Sequence, residues 1–265
     1  MKNYLIKISD NNLINVISAI IEDQFAIETS IAQEMGENVV KPHLSRFKNN
    51  IILIIETEYV DKVYRDSYYA YYASKLSSYK RNCIKISFFE ENGKPILLED
   101  FKKCENKKYL EECYGGFLIL RPTVPYIIGR SAISPKILSD SDFYSCMAYI
   151  PSTSIGLKFH VQAFPYSSQD TETLSCAETM IWALMEYYGN KYAEYCPILP
   201  SKIISTLSDS SIQRQLPSSG LPVDSISYML KECGFGPKLY SREDFLDNFE
   251  TLLSCYVESG LPIIV

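Results

Sequence analysis

Histidine and paired cysteines are what this chain of 265 residues most clearly lacks. It has two histidines, His43 and His160, and none of its eight cysteines forms a Cys-x-x-Cys pair. The cysteines are Cys83, Cys104, Cys113, Cys146, Cys176, Cys196, Cys233 and Cys255. Because structural zinc sites are built from closely spaced thiolates and imidazoles, we expect no metal site. No motif indicates an organic cofactor either.

An excess of basic residues is also missing. Lysine and arginine number 26 against 32 aspartates and glutamates, which gives a net charge of -6 and argues against a nucleic-acid partner. No apolar run approaches the length of a membrane span, and Met1 to Asp10 alternates polar and apolar residues without the core of a secretory signal. We therefore predict a cytoplasmic protein with mostly free, buried cysteines and no membrane partner. The oligomeric state stays open.

The hydrophobic pattern predicts an α+β fold in two parts: an N-terminal accessory domain of mixed α/β character over residues 1–150, and a second domain over 151–265. No long Gly/Ser linker separates the two parts. The predicted helices cover about 13–31, 61–80, 176–188, 200–208, 223–232 and 242–257. The predicted strands cover 51–55, 83–89, 117–120, 127–130, 144–150, 157–163 and 261–265.

The most informative stretch sets Gln169 a few residues ahead of Cys176, which opens a strongly apolar, helix-compatible run. A cysteine at a helix start lies near the positive end of the helix dipole, which favours thiolate over thiol. The Gln169 amide is a donor of the kind that stabilises a developing oxyanion. Ser175 is the predicted N-cap of the helix. The alternative is that Cys176 is a packing residue, as most cysteines are.

Two further residues are candidate supports for this pair. Asp170 either holds the glutamine loop in place or compensates the helix dipole. His160, on the strand before the loop, either serves as the base or is a half-buried strand histidine with one backbone partner. His43 follows Lys41-Pro42 and is predicted to be an exposed loop residue.

The segment Phe164-Pro165-Tyr166-Ser167-Ser168-Gln169-Asp170, followed by Cys176-Ala177, resembles the start of the catalytic domain of bacterial papain-like cysteine peptidases. The double-glycine leader peptidases and similar C39-like proteins have the closest pattern. The resemblance covers about residues 158–265 and includes Gly220-Leu221-Pro222 and Gly234-Phe235. It implies that a glutamine precedes a nucleophilic cysteine at the start of the central helix. It also implies a histidine after a strand such as 261–265, oriented by an Asn or Asp.

The chain departs from this pattern in two ways. No histidine follows Cys176, and the spacing from Gln169 to Cys176 is one residue longer than in papain itself. We therefore expect a cysteine peptidase or related amide hydrolase that acts on a peptide or protein, truncated before its histidine and inactive as given. If Val265 is the true end, the alternative is a non-catalytic interaction module on a papain-like scaffold. A transglutaminase-like acyltransferase is a third interpretation.

Overall fold

A computed structural model describes residues 2–75, 79–170, 176–210 and 221–264, and its fold is mixed α and β, as the sequence predicts. The strands are β1 (Asn3–Lys7), β2 (Ile51–Tyr59), β3 (Cys83–Glu90), β4 (Tyr114–Leu120), β5 (Ser131–Ile133), β6 (Ala148–Ser154), β7 (Leu157–Ala163) and β8 (Pro165–Tyr166). The helices are α1 (Leu13–Phe25), α2 (Thr29–Met35), α3 (Lys41–Leu44), α4 (Lys62–Ala70), α5 (Lys107–Cys113), α6 (Cys176–Lys191), α7 (Pro200–Ser210), α8 (Val223–Glu232), α9 (Arg242–Phe245) and α10 (Phe249–Glu258). None of the described helices has the length and apolar character needed to cross a membrane.

Six strands form one antiparallel sheet in the order β1-β2-β3-β4-β5-β8. The central strands β2, β3 and β4 are buried along nearly their whole length. Continuous apolar runs such as 51–55 produce this burial, because every residue of a doubly covered strand meets a packing layer. The short strand β8 pairs with β5 at one edge and leads directly into the glutamine loop.

The two faces of the sheet are covered by different layers. On one face, α1 packs Ile17 and Ile21 against strand residues that include Leu53. On the other face lies the antiparallel hairpin β6–β7, which contributes Phe159 and Val161. Full burial of each such side chain stabilises the fold by about 1.5–3 kcal/mol.

Helix α6 is the centre of the C-terminal helical layer. Its Ile181 and Trp182 pack with Ile203 of α7 and Met229 of α8 in a third core. This helix is apolar around most of its circumference, as expected for a helix surrounded by other elements. Packing of its buried residues against these elements fixes its first residue relative to the sheet.

Several predicted elements agree with the structure. Strand β7 and helix α8 have the predicted limits of 157–163 and 223–232. Helix α8 ends with two bonds of a Schellman motif, from the Gly234 amide to the Lys231 carbonyl and from the Phe235 amide to the Leu230 carbonyl. Gly234 has φ +89°, a conformation that glycine adopts without strain.

Other predicted elements are wrong in their limits. The helix predicted over 13–31 divides into α1 and α2, because Ala26 is left-handed with φ 54° and ends the first helix. The helix predicted over 61–80 ends at Ala70. No strand forms over 127–130, where Ile128 makes only one isolated bridge with Leu120.

The predicted strand over 261–265 is also absent from its described part, residues 261–264. Gly260, with φ +75°, turns the chain after α10, and the Leu261 amide bonds back to the Tyr256 carbonyl. This reversal directs residues 261–264 along a cavity beside α6, rather than along a sheet edge. The predicted domain boundary near residue 150 falls inside strand β6.

Candidate functional site

The glutamine loop is attached to the edge of the sheet. After β8, the Ser168 amide donates to the Ile128 carbonyl at 3.0 Å, and the Ser168 hydroxyl donates to the same carbonyl at 2.8 Å. Backbone and side chain of one residue therefore hold the chain at the position just before Gln169. This attachment limits the positions open to the glutamine side chain.

Arg121 strengthens that attachment from beneath the loop. Arg121 is 5% exposed, and its guanidinium donates from Nη2 to the Ser168 carbonyl at 2.8 Å. Its Nε donates to the Tyr126 carbonyl at 3.2 Å. Hydrogen bonds from a charged donor are stronger than neutral ones, particularly away from water. Sequence reasoning missed Arg121, whose only signal is a charged residue directly after the buried strand β4.

Cys176 and Gln169 meet, as the sequence predicts. Cys176 is the exposed first residue of α6, and its Sγ lies 2.7 Å from Gln169 Oε1. In this arrangement the thiol donates to the amide oxygen. Turning the amide end by half a rotation places Nε2 beside the sulfur instead, so the same side chain is able to donate to a thiolate or to an adjacent oxyanion.

An ion pair fixes α6 against the sheet. Arg130 Nη2 lies 2.8 Å from Glu186 Oε1, and the two side chains are 10% and 2% exposed. Arg130 Nε also donates to the same carboxylate oxygen at 2.9 Å. Because Arg130 immediately precedes β5, this contact joins the body of α6 to the same strands that carry the glutamine loop.

Cys176 opens onto a cavity of about 1070 Å³. Gln169 and Cys176 lie in its wall, together with one face of α6, parts of α8 and α10, and residues 261–264. Most of the lining side chains are apolar. A concave, largely apolar space with a few polar groups is the usual setting of a small-molecule or substrate site.

The predicted supporting residues are placed as follows. Asp170 is 5% exposed, so it belongs to the buried side of the loop. Ser175 lies outside the described residues, and its role as N-cap stays a prediction. His160 is exposed on β7 opposite Pro151 and does not line the cavity. The prediction of a half-buried strand histidine is wrong, because His160 is exposed, and its role as a base stays a prediction.

His43 belongs to a different region. Its Nδ1 lies 2.9 Å from the Val39 carbonyl, and its ring stacks on Tyr166 at 6.4 Å between centroids. It is partly buried, so the prediction of an exposed loop residue is wrong: His43 lies in the short helix α3. No imidazole is found among the described residues that line the cavity at Cys176. Among the described residues of the whole chain, no three His, Cys, Asp or Glu side chains lie together in a way suited to a metal ion.

Comparison with known proteins finds no relative: no family model, no curated protein and no solved structure matches this chain.

Proposed function

We propose that this chain is a papain-like cysteine hydrolase that cleaves amide bonds of a peptide or protein through Cys176. The observation that carries the proposal is the 2.7 Å contact between Cys176 Sγ and Gln169 Oε1. This contact lies at an exposed helix start and opens into a cavity. Neither a packing cysteine nor a surface cysteine requires a glutamine beside it, in a loop that three hydrogen bonds hold at the preceding Ser168.

The chemistry follows from these two side chains. The Cys176 thiolate attacks the substrate carbonyl carbon, and the carbonyl electrons move to oxygen. The Gln169 Nε2 group and the Cys176 backbone N–H stabilise that oxyanion. Its collapse breaks the C–N bond, the leaving amine takes a proton, and a thioester remains. Water then attacks the thioester and restores the thiol.

This sequence of steps needs a general base. The described residues place no imidazole at the cavity, so the proposal includes a base supplied from outside them, by another segment or by a partner. The Cys176 sulfur attacks an alkylating reagent without that base, since no leaving amine has to be protonated. The reactivity of the Cys176 sulfur and catalytic turnover can therefore be measured in separate assays.

The other thiols supply a reference for reactivity. Burial raises the pKa of the Cys83, Cys113, Cys146 and Cys233 thiols. The seven cysteines whose side chains are described are free, which supports the proposal of a reducing, cytoplasmic location.

The test is alkylation by iodoacetamide at pH 6, followed by peptide mapping. Cys196 and Cys255 are exposed, like Cys176, and serve as controls within the same chain. We expect Cys176 to react about fivefold faster than either, since a helix N-terminus stabilises an anion by about 1 kcal/mol. Equal rates at the three thiols would contradict the proposal and favour the non-catalytic interaction module.

Turnover is tested with the base present, in whatever longer chain or complex supplies it. Gln169→Ala should then lower kcat by about 10²–10³, the usual effect of losing one oxyanion donor. Gln169→Glu is the matched control, because it retains the size of the side chain but removes the donor. A primary amine added to the assay separates hydrolysis from transfer, since an acyltransferase would form the new amide.

A further inference from the structure

One stripe of α6 forms the long wall of the cavity. Cys176, Met180, Leu184 and Tyr188 all line it, at intervals of four residues. Residues four apart lie on the same helix face, so the wall is continuous. The twelve steps from Cys176 to Tyr188, each with a rise of 1.5 Å, make this wall roughly 18 Å long, with the Cys176 sulfur at one end.

The rest of the cavity lining includes Ile226 and Leu230 of α8 and Leu252 and Leu253 of α10. Helix α10 has apolar residues facing α6 across the cavity, yet none of its described side chains is buried. The apolar side chains of α10 thus leave a space beside α6 that admits a ligand.

Polar groups in the lining are few. Lys238 is the only charged side chain among the described residues that line the cavity. Its Nζ lies 5.0 Å from the centre of the Tyr240 ring, and the Tyr240 hydroxyl is 2.5 Å from that of Tyr256. One ammonium group beside two phenolic hydroxyls favours an anionic group on the ligand.

We infer that the amide substrate carries an unbranched aliphatic chain with a carboxylate, and that this chain lies along α6 while Cys176 attacks a carbonyl at one end. This inference rests on the proposed nucleophile. A polymethylene chain suits a lining of aliphatic and aromatic side chains, whereas an extended peptide lying in the cavity would bring amide groups that find few partners there. The lone ammonium of Lys238 selects an anionic chain over a cationic one.

The test uses N-alkyl iodoacetamides of increasing chain length, which react with Cys176 without any general base. At reagent concentrations below saturation, the alkylation rate of Cys176 should rise by about fourfold for each methylene buried, until the chain spans the cavity. The rates at Cys196 and Cys255 measure unspecific attraction of the longer reagents to the protein. A probe ending in carboxylate should react faster than one ending in trimethylammonium, and Lys238→Met should abolish that difference.

Two tryptophan variants of α10 provide the control. Leu253 lines the cavity, so Leu253→Trp should remove the dependence on chain length. Thr251 is exposed on the same helix and does not line the cavity, so Thr251→Trp should retain the dependence. Circular dichroism confirms that both variants fold.

The outcomes separate the two proposals. If Cys176 shows no preference over the control thiols with plain iodoacetamide, the proposed nucleophile fails. If Cys176 is preferred but its rate is independent of chain length, the nucleophile stands and the aliphatic substrate is refuted. If length matters but the carboxylate and trimethylammonium probes react equally, the anionic group is refuted.

Discussion

Lys85 lies in the middle of the sheet with no exposed surface. Its ammonium group donates to the Ser152 hydroxyl at 2.7 Å and to the Thr153 carbonyl, and lies 4.9 Å from the ring centres of both Tyr59 and Phe117. Burial lowers the pKa of Lys85 from its ordinary value of 10.5 to about 8, against the opposing effect of the Glu56 carboxylate. The stability of the protein should therefore depend on pH in a range where most proteins show little change.

The direction follows from proton binding. Below pH 8, Lys85 is protonated in both the folded and the unfolded chain. Between pH 8 and 10.5 the unfolded chain retains the proton that the folded chain has lost, so the free energy of unfolding rises with pH. With these two pKa values, the rise between pH 7 and 9.5 amounts to about 2 kcal/mol.

The measurement is urea unfolding from pH 7 to 9.5 of two variants that differ only at this lysine: Glu56→Gln, and Glu56→Gln combined with Lys85→Met. Removing the carboxylate takes away the effect that raises the pKa of Lys85, so the expected rise is at least about 2 kcal/mol. Raised pKa values of buried thiols and tyrosines lower stability above pH 9, but equally in both variants. Lys158→Met, at an exposed lysine of β7, is the control. Parallel curves for the pair would refute the reasoning.

Three further predictions concern contacts around the site. Arg121→Met should slow alkylation of Cys176 at pH 6, with partial recovery in Arg121→Lys; unchanged rates would show that the loop holds without the arginine. Arg130→Met leaves Glu186 buried without its cation and should cost about 3–5 kcal/mol in urea unfolding, whereas a loss below about 1 kcal/mol would contradict a buried pair. Gly234→Ala should cost about 1–2 kcal/mol because of its left-handed φ, and an unchanged Tm would exclude that strain.

The sequence predicts the parts of the fold that depend on local pattern. Hydrophobic spacing predicts the strands at 51–55 and 117–120 and the apolar helix that begins at Cys176. The break at Ala26 is not predictable in this way, because alanine is a strong helix former and nothing in the local pattern indicates its left-handed φ of 54°. The absence of a strand over 261–264 has a similar cause: an apolar run forms a strand only where another strand pairs with it.

The candidate site likewise has one part that local sequence predicts and another part that it does not. Proximity of Gln169 and Cys176 follows from their short separation in the chain, so local reasoning predicts it. Arg121 stands 47 residues before Ser168, and no local pattern connects the two. The far wall of the cavity comes from α8 and α10, whose distance from α6 depends on how the whole helical layer packs.

The position of Gln169 beside Cys176 depends on strands that precede residue 150. Arg121 follows β4 and holds the loop, and the Ile128 carbonyl accepts hydrogen bonds from Ser167 and Ser168 of that loop. Arg130 precedes β5 and holds α6 through Glu186. Cys176 and Gln169, the proposed nucleophile and oxyanion donor, are thus held by separate ionic and hydrogen-bonded contacts to one sheet, and a shift of that sheet would change the distance between them. The N-terminal strands therefore contribute to the geometry of the candidate site as well as to its stability.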